Sequence, residues 1–303
     1  MFKPHLLVIG GTGFIGYHLT LAAIKKGWKV TSVSLNKPKK FRFVEGVRYL
    51  KINISNLKQL KEKLNYSFTY VVNLGGYVDH SLSKKKTDVI INTHFVGLTN
   101  LISVLTNKKI KKFIQIGSSV EYGKIKAPQS ESDHCSPKSL YAMSKLASTE
   151  FLLMLYNTEK FPATILRFFQ IYGPKQDENR ILPQIIKSCL KNKKFPTSQG
   201  DQIRDFCYVD DSINAIFCAL KSKQSDGEIF NIGSGSPTKI KYVIKKVCKI
   251  IKKGKPQFGK IKYRKDENMN LSPNIKKARE KLKWKPMVNF TKGIKLVINS
   301  FQN

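Results

Sequence analysis

The segment Val8-Ile9-Gly10-Gly11-Thr12-Gly13-Phe14-Ile15-Gly16 lies between an apolar run, residues 5–9, and a helical pattern over about 14–26. Few patterns restrict a fold as strongly. Glycines spaced Gly-x-x-Gly-x-x-Gly between a strand and a helix let the chain turn tightly. They also bring its backbone against a pyrophosphate, whose charge is met by the amides of the helix N-terminus. The rest of the first half continues in kind. Short apolar or β-branched runs at about 29–34, 47–52, 69–74, 112–117 and 162–168 alternate with helical patterns at about 57–64, 91–107 and 141–158. Such alternation marks a parallel sheet covered on both faces.

After Pro174 the alternation loosens into helices at about 181–192, 211–221, 238–252 and 274–282 and a short strand at 206–209. The expected fold is therefore α/β, a Rossmann-like doubly wound parallel sheet with a smaller C-terminal α/β substrate domain. Residues 1–168 form the dinucleotide-binding domain and 169–303 mainly the substrate domain, with 206–221 returning to the first. The 303 residues, 41% of them hydrophobic, suffice for such a core.

The formal charge of +35, from 55 basic and 20 acidic residues, raises the question of a polyanionic partner. The lysines are spread through every segment, with no basic arm and no aromatic-interleaved RNA motif. A chain-wide lysine bias explains them, so no specific nucleic-acid partner is expected, although the charge attracts anionic small molecules. The five cysteines (135, 189, 207, 218, 248) show no Cys-x-x-Cys spacing, which implies a reducing compartment and no metal site. The five histidines are dispersed and read as structural. No apolar run approaches the roughly 18 residues needed to cross a bilayer, so a cytoplasmic protein without membrane contact is expected.

Tyr141 and Lys145 are four residues apart in a helical pattern, which places phenol and ammonium on one face. A cation within a few ångströms favours the phenolate, and a downward shift of roughly three units from about 10 would poise Tyr141 to move protons near neutrality. Upstream, Ile116-Gly-Ser-Ser-Val-Glu-Tyr-Gly123 closes a strand and presents Ser118 and Ser119 at the same sheet edge as the glycine segment. Together these groups describe redox chemistry on a bound nucleotide.

With Leu166-Arg-Phe-Phe-Gln-Ile-Tyr-Gly-Pro174, Gly200-Asp-Gln-Ile-Arg-Asp-Phe-Cys-Tyr-Val-Asp-Asp211, Asn231-Ile-Gly-Ser-Gly235 and Leu282-Lys-Trp-Lys-Pro286, the chain resembles the extended short-chain dehydrogenase/reductase family from about residue 5 to 287. That family comprises nucleotide-sugar epimerases, dehydratases and ketoreductases. The resemblance implies that Ser118 hydrogen-bonds the reacting oxygen, Tyr141 passes the proton, and Lys145 tunes the tyrosine and holds the nicotinamide ribose. It places the cofactor along Gly10, Thr12, Gly13, Phe14, Ile15, Gly16, Ser34, Lys37, Asn53, Ile54, Leu74, Gly75 and Gly76, as well as on Tyr141 and Lys145. Substrate contacts fall to Ser119, His80, Gln170 (where the family usually carries Asn), Arg204, Arg264 and Glu267.

Ser34 stands where a carboxylate would grip the ribose of NAD, and Lys37, Lys39 and Lys40 follow it, so NADP(H) is favoured over NAD(H). Dehydratases of the family place an acid pair after the catalytic Thr. Here Ser119 and Val120 occupy those positions, and Glu121 falls one residue late, on the side of a strand end facing away. The segments around residues 73–80, 117–123 and 263–271 look similar to the CDP-abequose and CDP-paratose synthases. The leading expectation is accordingly NADPH-dependent reduction of a nucleoside-diphosphate 4-keto-6-deoxyhexose in surface-polysaccharide synthesis. The alternative is an NAD-dependent nucleotide-sugar 4-epimerase, and a non-catalytic nucleotide- or nucleic-acid-binding protein is a third reading. Helices at about 91–107 and 141–158 resemble those of the family's four-helix-bundle homodimer.

Overall fold

The computed structural model describes residues 3–76, 84–106, 109–264 and 267–302, with the backbone alone for 84–86. Its first half alternates β1 (His5–Ile9), α1 (Phe14–Lys25), β2 (Lys29–Ser34), β3 (Val47–Lys51), α2 (Leu57–Lys63), β4 (Tyr70–Asn73), α3 (Lys84–Ile91), α4 (Gly97–Leu105), β5 (Lys112–Ser118), α5 (Leu140–Glu159) and β6 (Ala163–Phe168). There follow β7 (Gln170–Tyr172), α6 (Ile181–Leu190), β8 (Lys194–Pro196), β9 (Ile203–Arg204), β10 (Phe206–Tyr208), α7 (Val209–Lys221) and β11 (Glu228–Ile232). The chain ends with β12 (Thr238–Lys239), α8 (Ile240–Ile251), β13 (Lys255–Gln257), β14 (Asn270–Leu271), α9 (Lys276–Lys281) and α10 (Phe290–Asn299).

Seven strands form one sheet in the order β11-β6-β5-β4-β1-β2-β3, and every neighbouring pair is parallel. Alternation along each strand divides the core between the two faces. Leu6 and Val8 of β1 pack on one side with Val72, Ile114, Leu166 and Phe230. Leu7 and Ile9 pack on the other with Val71, Phe113 and Ile165. Helices α1 and α7 contribute Leu19, Ala23, Ile213 and Ile216 to the first cluster, whereas α4 and α5 supply Leu98, Leu101, Leu152 and Leu155 to the second. The order reverses between β1 and β4, where the ends of adjacent strands leave a crevice for a ligand.

Strand β11 is absent from the sequence-based reading, yet it supplies the seventh strand. Asn231 explains its fixed place, because its amide Oδ1 accepts from the Tyr122 hydroxyl at 2.7 Å and its Nδ2 donates to Gln129 O at 3.0 Å. Two of the four carboxylates of the 200–211 segment, Asp205 and Asp211, are structural pins. Asp205 accepts from Ser234 Oγ at 2.9 Å and Ser236 N at 3.0 Å, and Asp211 accepts from Met287 N at 2.9 Å and Val288 N at 3.0 Å.

A second correction concerns the helix that was expected to begin near residue 91. It starts at Lys84, and a π-helical turn, Asn92–Val96, joins α3 to α4. By length and composition Thr87–Leu105 could cross a membrane, with a mean hydropathy of 1.3 over its best window. It passes that test because its polar residues are almost all uncharged. Leu98, Leu101, Ile102 and Leu105 are committed to the core beneath the sheet, as in a core helix of an α/β domain.

Candidate active site

A cleft of 1650 Å³ opens at the carboxyl ends of the central strands. Gly10, Gly13, Phe14, Ile15, Gly16, Leu74, Gly75 and Gly76 line it, as do Ser118, Ser119, Tyr141, Lys145, Gln170, Arg204, Arg264 and Glu267. Residues scattered over most of the chain length thus share one cavity.

The glycine turn is required by contact. Gly10 has φ +78°, and a Cβ on Gly16 would lie 2.3 Å from the carbonyl oxygen of Gly10. No side chain caps α1 and no acidic residue sits in its first turn. Its amides and the positive end of its dipole therefore face the cleft, as an anion requires. Thr12, Ser34, Lys37, Asn53 and Ile54 lie off the cleft wall. The Thr12 amide donates to Ser34 Oγ at 3.4 Å, and Asn53 Oδ1 accepts from Ser55 N at 3.0 Å. Ile54 is a core residue and Lys37 is exposed. His80 lies outside the described residues.

The reacting groups come from two elements. Strand β5 delivers Ser118, which caps a 3₁₀ turn over Ser119–Tyr122. Helix α5 begins one residue before Tyr141, with Ser139 Oγ accepting from Ala142 N at 3.1 Å. Tyr141 and Lys145 are 7% and 5% exposed. A hydrogen bond links the Ser118 hydroxyl to the Tyr141 phenol, and Lys145 Nζ donates to Ile116 O at 2.8 Å.

The tyrosine is shifted opposite to the expected direction. Burial pushes the Tyr141 phenol up to about 12; the Ser118 hydrogen bond and the charge of Arg180 pull it down, while Glu121 adds to the rise. Burial also pushes the Lys145 ammonium down to about 8, against the pull of the Glu121 carboxylate. The spacing correctly put both groups on one helix face, but the ammonium is directed at a backbone carbonyl. At neutral pH Tyr141 is a protonated donor.

One residue of this region was overlooked from sequence, and another is placed as expected but by a different cause. Glu121 does face away from the cleft, but a 3₁₀ turn rather than strand alternation puts it there. It is fully buried against Arg167, with Nε 2.8 Å from Glu121 Oε2. His94, read as one dispersed histidine among five, lines the cleft with its ring centroid 5.1 Å from that of Tyr141, edge to face. A Cβ on Gly76 would stand 1.9 Å from His94 Cε1, and Gly76 has φ +136°. The glycine is the signal that a bulky ring comes close. The π turn shifts the helix register and hides His94 from a 3.6-residue periodicity.

On the substrate side Arg204 donates from its NH2 group to the Glu267 carboxylate and from NH1 to Ile203 O at 2.8 Å. Burial lowers the Arg204 pKa, and Glu267 opposes that shift. Gln170 is held on β7 by its amide, which donates to Asp205 O at 3.0 Å, and Arg264 is exposed. Two residues assigned separate substrate contacts are therefore partners of each other.

Fold, glycine turn and Ser-Tyr-Lys set define an oxidoreductase-type nucleotide-sugar enzyme. The chain belongs to the NAD dependent epimerase/dehydratase family, whose pattern it matches over residues 6–233. Among curated relatives, UDP-N-acetyl-alpha-D-glucosaminuronate decarboxylase of Bacillus cytotoxicus is 28% identical, covering 99% of this chain and 98% of its own. Among solved structures, UDP-glucose 4-epimerase of Thermotoga maritima with UDP-glucose superimposes with a TM-score of 0.93 at 26% identity, covering 98% of each chain. UDP-glucuronic acid 4-epimerase of Bacillus cereus, in complex with UDP-glucuronic acid and NAD, does so with a TM-score of 0.89 at 26% identity, covering 98% of this chain and 99% of its own.

These relatives overturn two expectations. The solved ones are 4-epimerases, not the expected NADPH-dependent 4-ketoreductase, and the dinucleotide held by the second is NAD, not NADP(H). None of the three is a CDP-abequose or CDP-paratose synthase. The lysines that suggested a 2′-phosphate site reflect the chain-wide excess: Lys37 is exposed off the cleft wall and Lys39 lies over the Phe41 ring. The Ser34 hydroxyl is held by the Thr12 amide.

Proposed function

We propose that the chain is an NAD-dependent 4-epimerase of a nucleoside-diphosphate sugar. The observation that carries this reading is the Tyr141 phenol beside the Ser118 hydroxyl at the cleft, with no acid or base at Ser119 or Val120 for a second proton transfer. Inverting a carbinol needs one proton carrier used in both directions; expelling water needs more. When bound, NAD accepts a hydride from the sugar carbon and returns it to either face. The glycine turn and the α1 N-terminus suit its pyrophosphate, and Lys145 stands within the same wall. Ser118 orients the sugar hydroxyl; Tyr141, once its own proton has passed to solvent as the site is loaded, takes the hydroxyl proton and gives it back, and positive charge from Arg180 favours that phenolate.

Residues 1–168 are assigned to holding the dinucleotide and 169–303 mainly to the sugar nucleotide, with 206–221 packing back on the first part. Arg204 is the natural grip for the diphosphate. A homodimer through the continuous α3–α4 helix and α5 is supported by exposed Val89 on the first and Met143 and Met154 on the second. Sedimentation as a monomer at micromolar concentration would remove that assignment.

The deciding assay incubates the protein with NAD and either UDP-glucose or UDP-glucuronate and follows the sugar by proton NMR. The expected product is the C4 epimer with no net change in NADH absorbance. Loss of carbon dioxide or water from the sugar, or no turnover of any sugar nucleotide, would sink the reading.

A further inference from the structure

Glu121 stands behind the reacting groups and does not itself line the cleft. Its Oε1 accepts from the Ser118 amide at 2.7 Å. Its Oε2 accepts from Thr149 Oγ1 at 3.0 Å and from Arg167 Nε at 2.8 Å. One carboxylate thus joins β5, α5 and β6, the three elements from which the catalytic wall is built. Gly117 makes room for it, since a Cβ there would lie 2.6 Å from Glu121 Oε1.

A buried ion pair of this kind is a poor device for stability alone. Desolvating two charges costs several kcal/mol per ion, and apolar residues of the same volume often serve equally well. Both partners are essentially without solvent exposure here. Their geometry instead serves the site. The Ser118 amide is the last strand amide before the chain turns, so fixing it fixes where the Ser118 hydroxyl meets the Tyr141 phenol. Glu121 also stands near the ammonium: Lys145 Nζ donates to Ile116 O at 2.8 Å, on the peptide that leads into Gly117, and a Cβ on Gly117 would lie 2.6 Å from Glu121 Oε1. The carboxylate's field there favours the ammonium of Lys145 and the neutral phenol of Tyr141.

We propose that Glu121, held by Arg167 and Thr149, is a positioning residue of the reaction: it sets the Ser118 hydroxyl against Tyr141 from behind the wall and places a carboxylate beside the peptide to which the Lys145 ammonium is bound. The inference concerns how the set works and rests on the epimerase reading only where turnover is measured.

The test compares Glu121→Gln, which removes the charge and keeps the shape, with Glu121→Asp, which keeps the charge and withdraws it by one methylene. In Glu121→Gln the Lys145 ammonium loses the favourable field of that carboxylate. Its titration, read by NMR of isotope-labelled lysine and assigned with Lys145→Arg, is expected to move down by about one pH unit. The alkaline limb of kcat should move with it, and kcat at pH 7 should fall at least tenfold. In Glu121→Asp the limb is expected to stay in place while kcat falls at least fivefold and the KM for the sugar nucleotide holds. A folded Glu121→Gln protein with an unmoved Lys145 titration overturns the proposal. So does wild-type kcat in Glu121→Asp, which decides the matter if Glu121→Gln does not fold. The lysine titration needs no turnover, so absence of epimerase activity and failure of this inference give different results.

Discussion

The two sides of the cleft are built by different means. On the dinucleotide side the determinants are backbone: a glycine at φ +78°, a glycine whose Cβ would collide with a carbonyl, and the uncapped N-terminus of α1. On the sugar side they are charged side chains holding one another, chiefly Arg204 with Glu267, while the loop before α6 offers Asp177 to Arg42 of the 40–42 turn at 2.9 Å and Glu178 to Lys187 of α6 at 2.5 Å. Backbone geometry tolerates one answer, whereas side-chain pairs can exchange partners at small cost. The first side is accordingly a rigid holder, and the second is a set of ion pairs that an anionic ligand can enter.

The sharpest way to break this contrast is at the point where the sides meet. Tyr141→Phe is expected to lower kcat by at least about 10³-fold, with NAD affinity unchanged within a factor of about three. Retained turnover would take the phenol out of its role. Next in size is Gly16→Val. Its Cβ must displace the Gly10 carbonyl, so stability should fall by about 3 kcal/mol and NAD binding should be lost together with it, as measured by chemical denaturation and calorimetry.

The sugar side should answer in degrees. Arg204→Met is expected to raise the KM for the sugar nucleotide by about 10- to 100-fold, the scale of a lost charge-assisted contact, with kcat little changed. Glu267→Gln releases Arg204 and should lower that KM about two- to fivefold; a raised KM would mean that Glu267 itself serves the substrate. The smallest effect is one of pH. With Lys145 at about 8 in the folded protein, its charge is complete well below pH 8 and is lost as pH rises through that value. The kcat profile should therefore carry an alkaline limb near 8 that is absent in Lys145→Arg.

The same contrast explains what could be read from the amino acids alone. Strands β1 to β6 follow from runs of alternating or continuous apolar residues, and Tyr141 and Lys145 from their four-residue spacing on α5. The Ser118 hydroxyl followed from its place at a strand end. The sign of the Tyr141 shift did not follow, because it depends on burial and on where the Lys145 ammonium points, and a carbonyl 29 residues earlier in the chain, Ile116 O, decides the latter. His94 was hidden by a π turn, and Glu121 was placed by a 3₁₀ turn that no alternation rule describes. The lysines after Ser34 misled because the whole chain is lysine-rich. Glu267 was separated from Arg204 by 63 positions, and only folding makes them neighbours.

Strand β11 has a consequence for how the molecule is made. It pairs with β6 along the full register from Glu228↔Thr164 to Ile232↔Phe168, so the last strand of the sheet emerges from a ribosome long after its partner. Until then β6 carries a bare parallel edge of six residues, Ala163–Phe168, all of them buried in the finished protein. An exposed apolar edge of this sort templates pairing with other chains. While about 60 further residues are synthesised that edge lacks its partner, so a second chain can compete with β11 for it during the interval between Phe168 and Glu228.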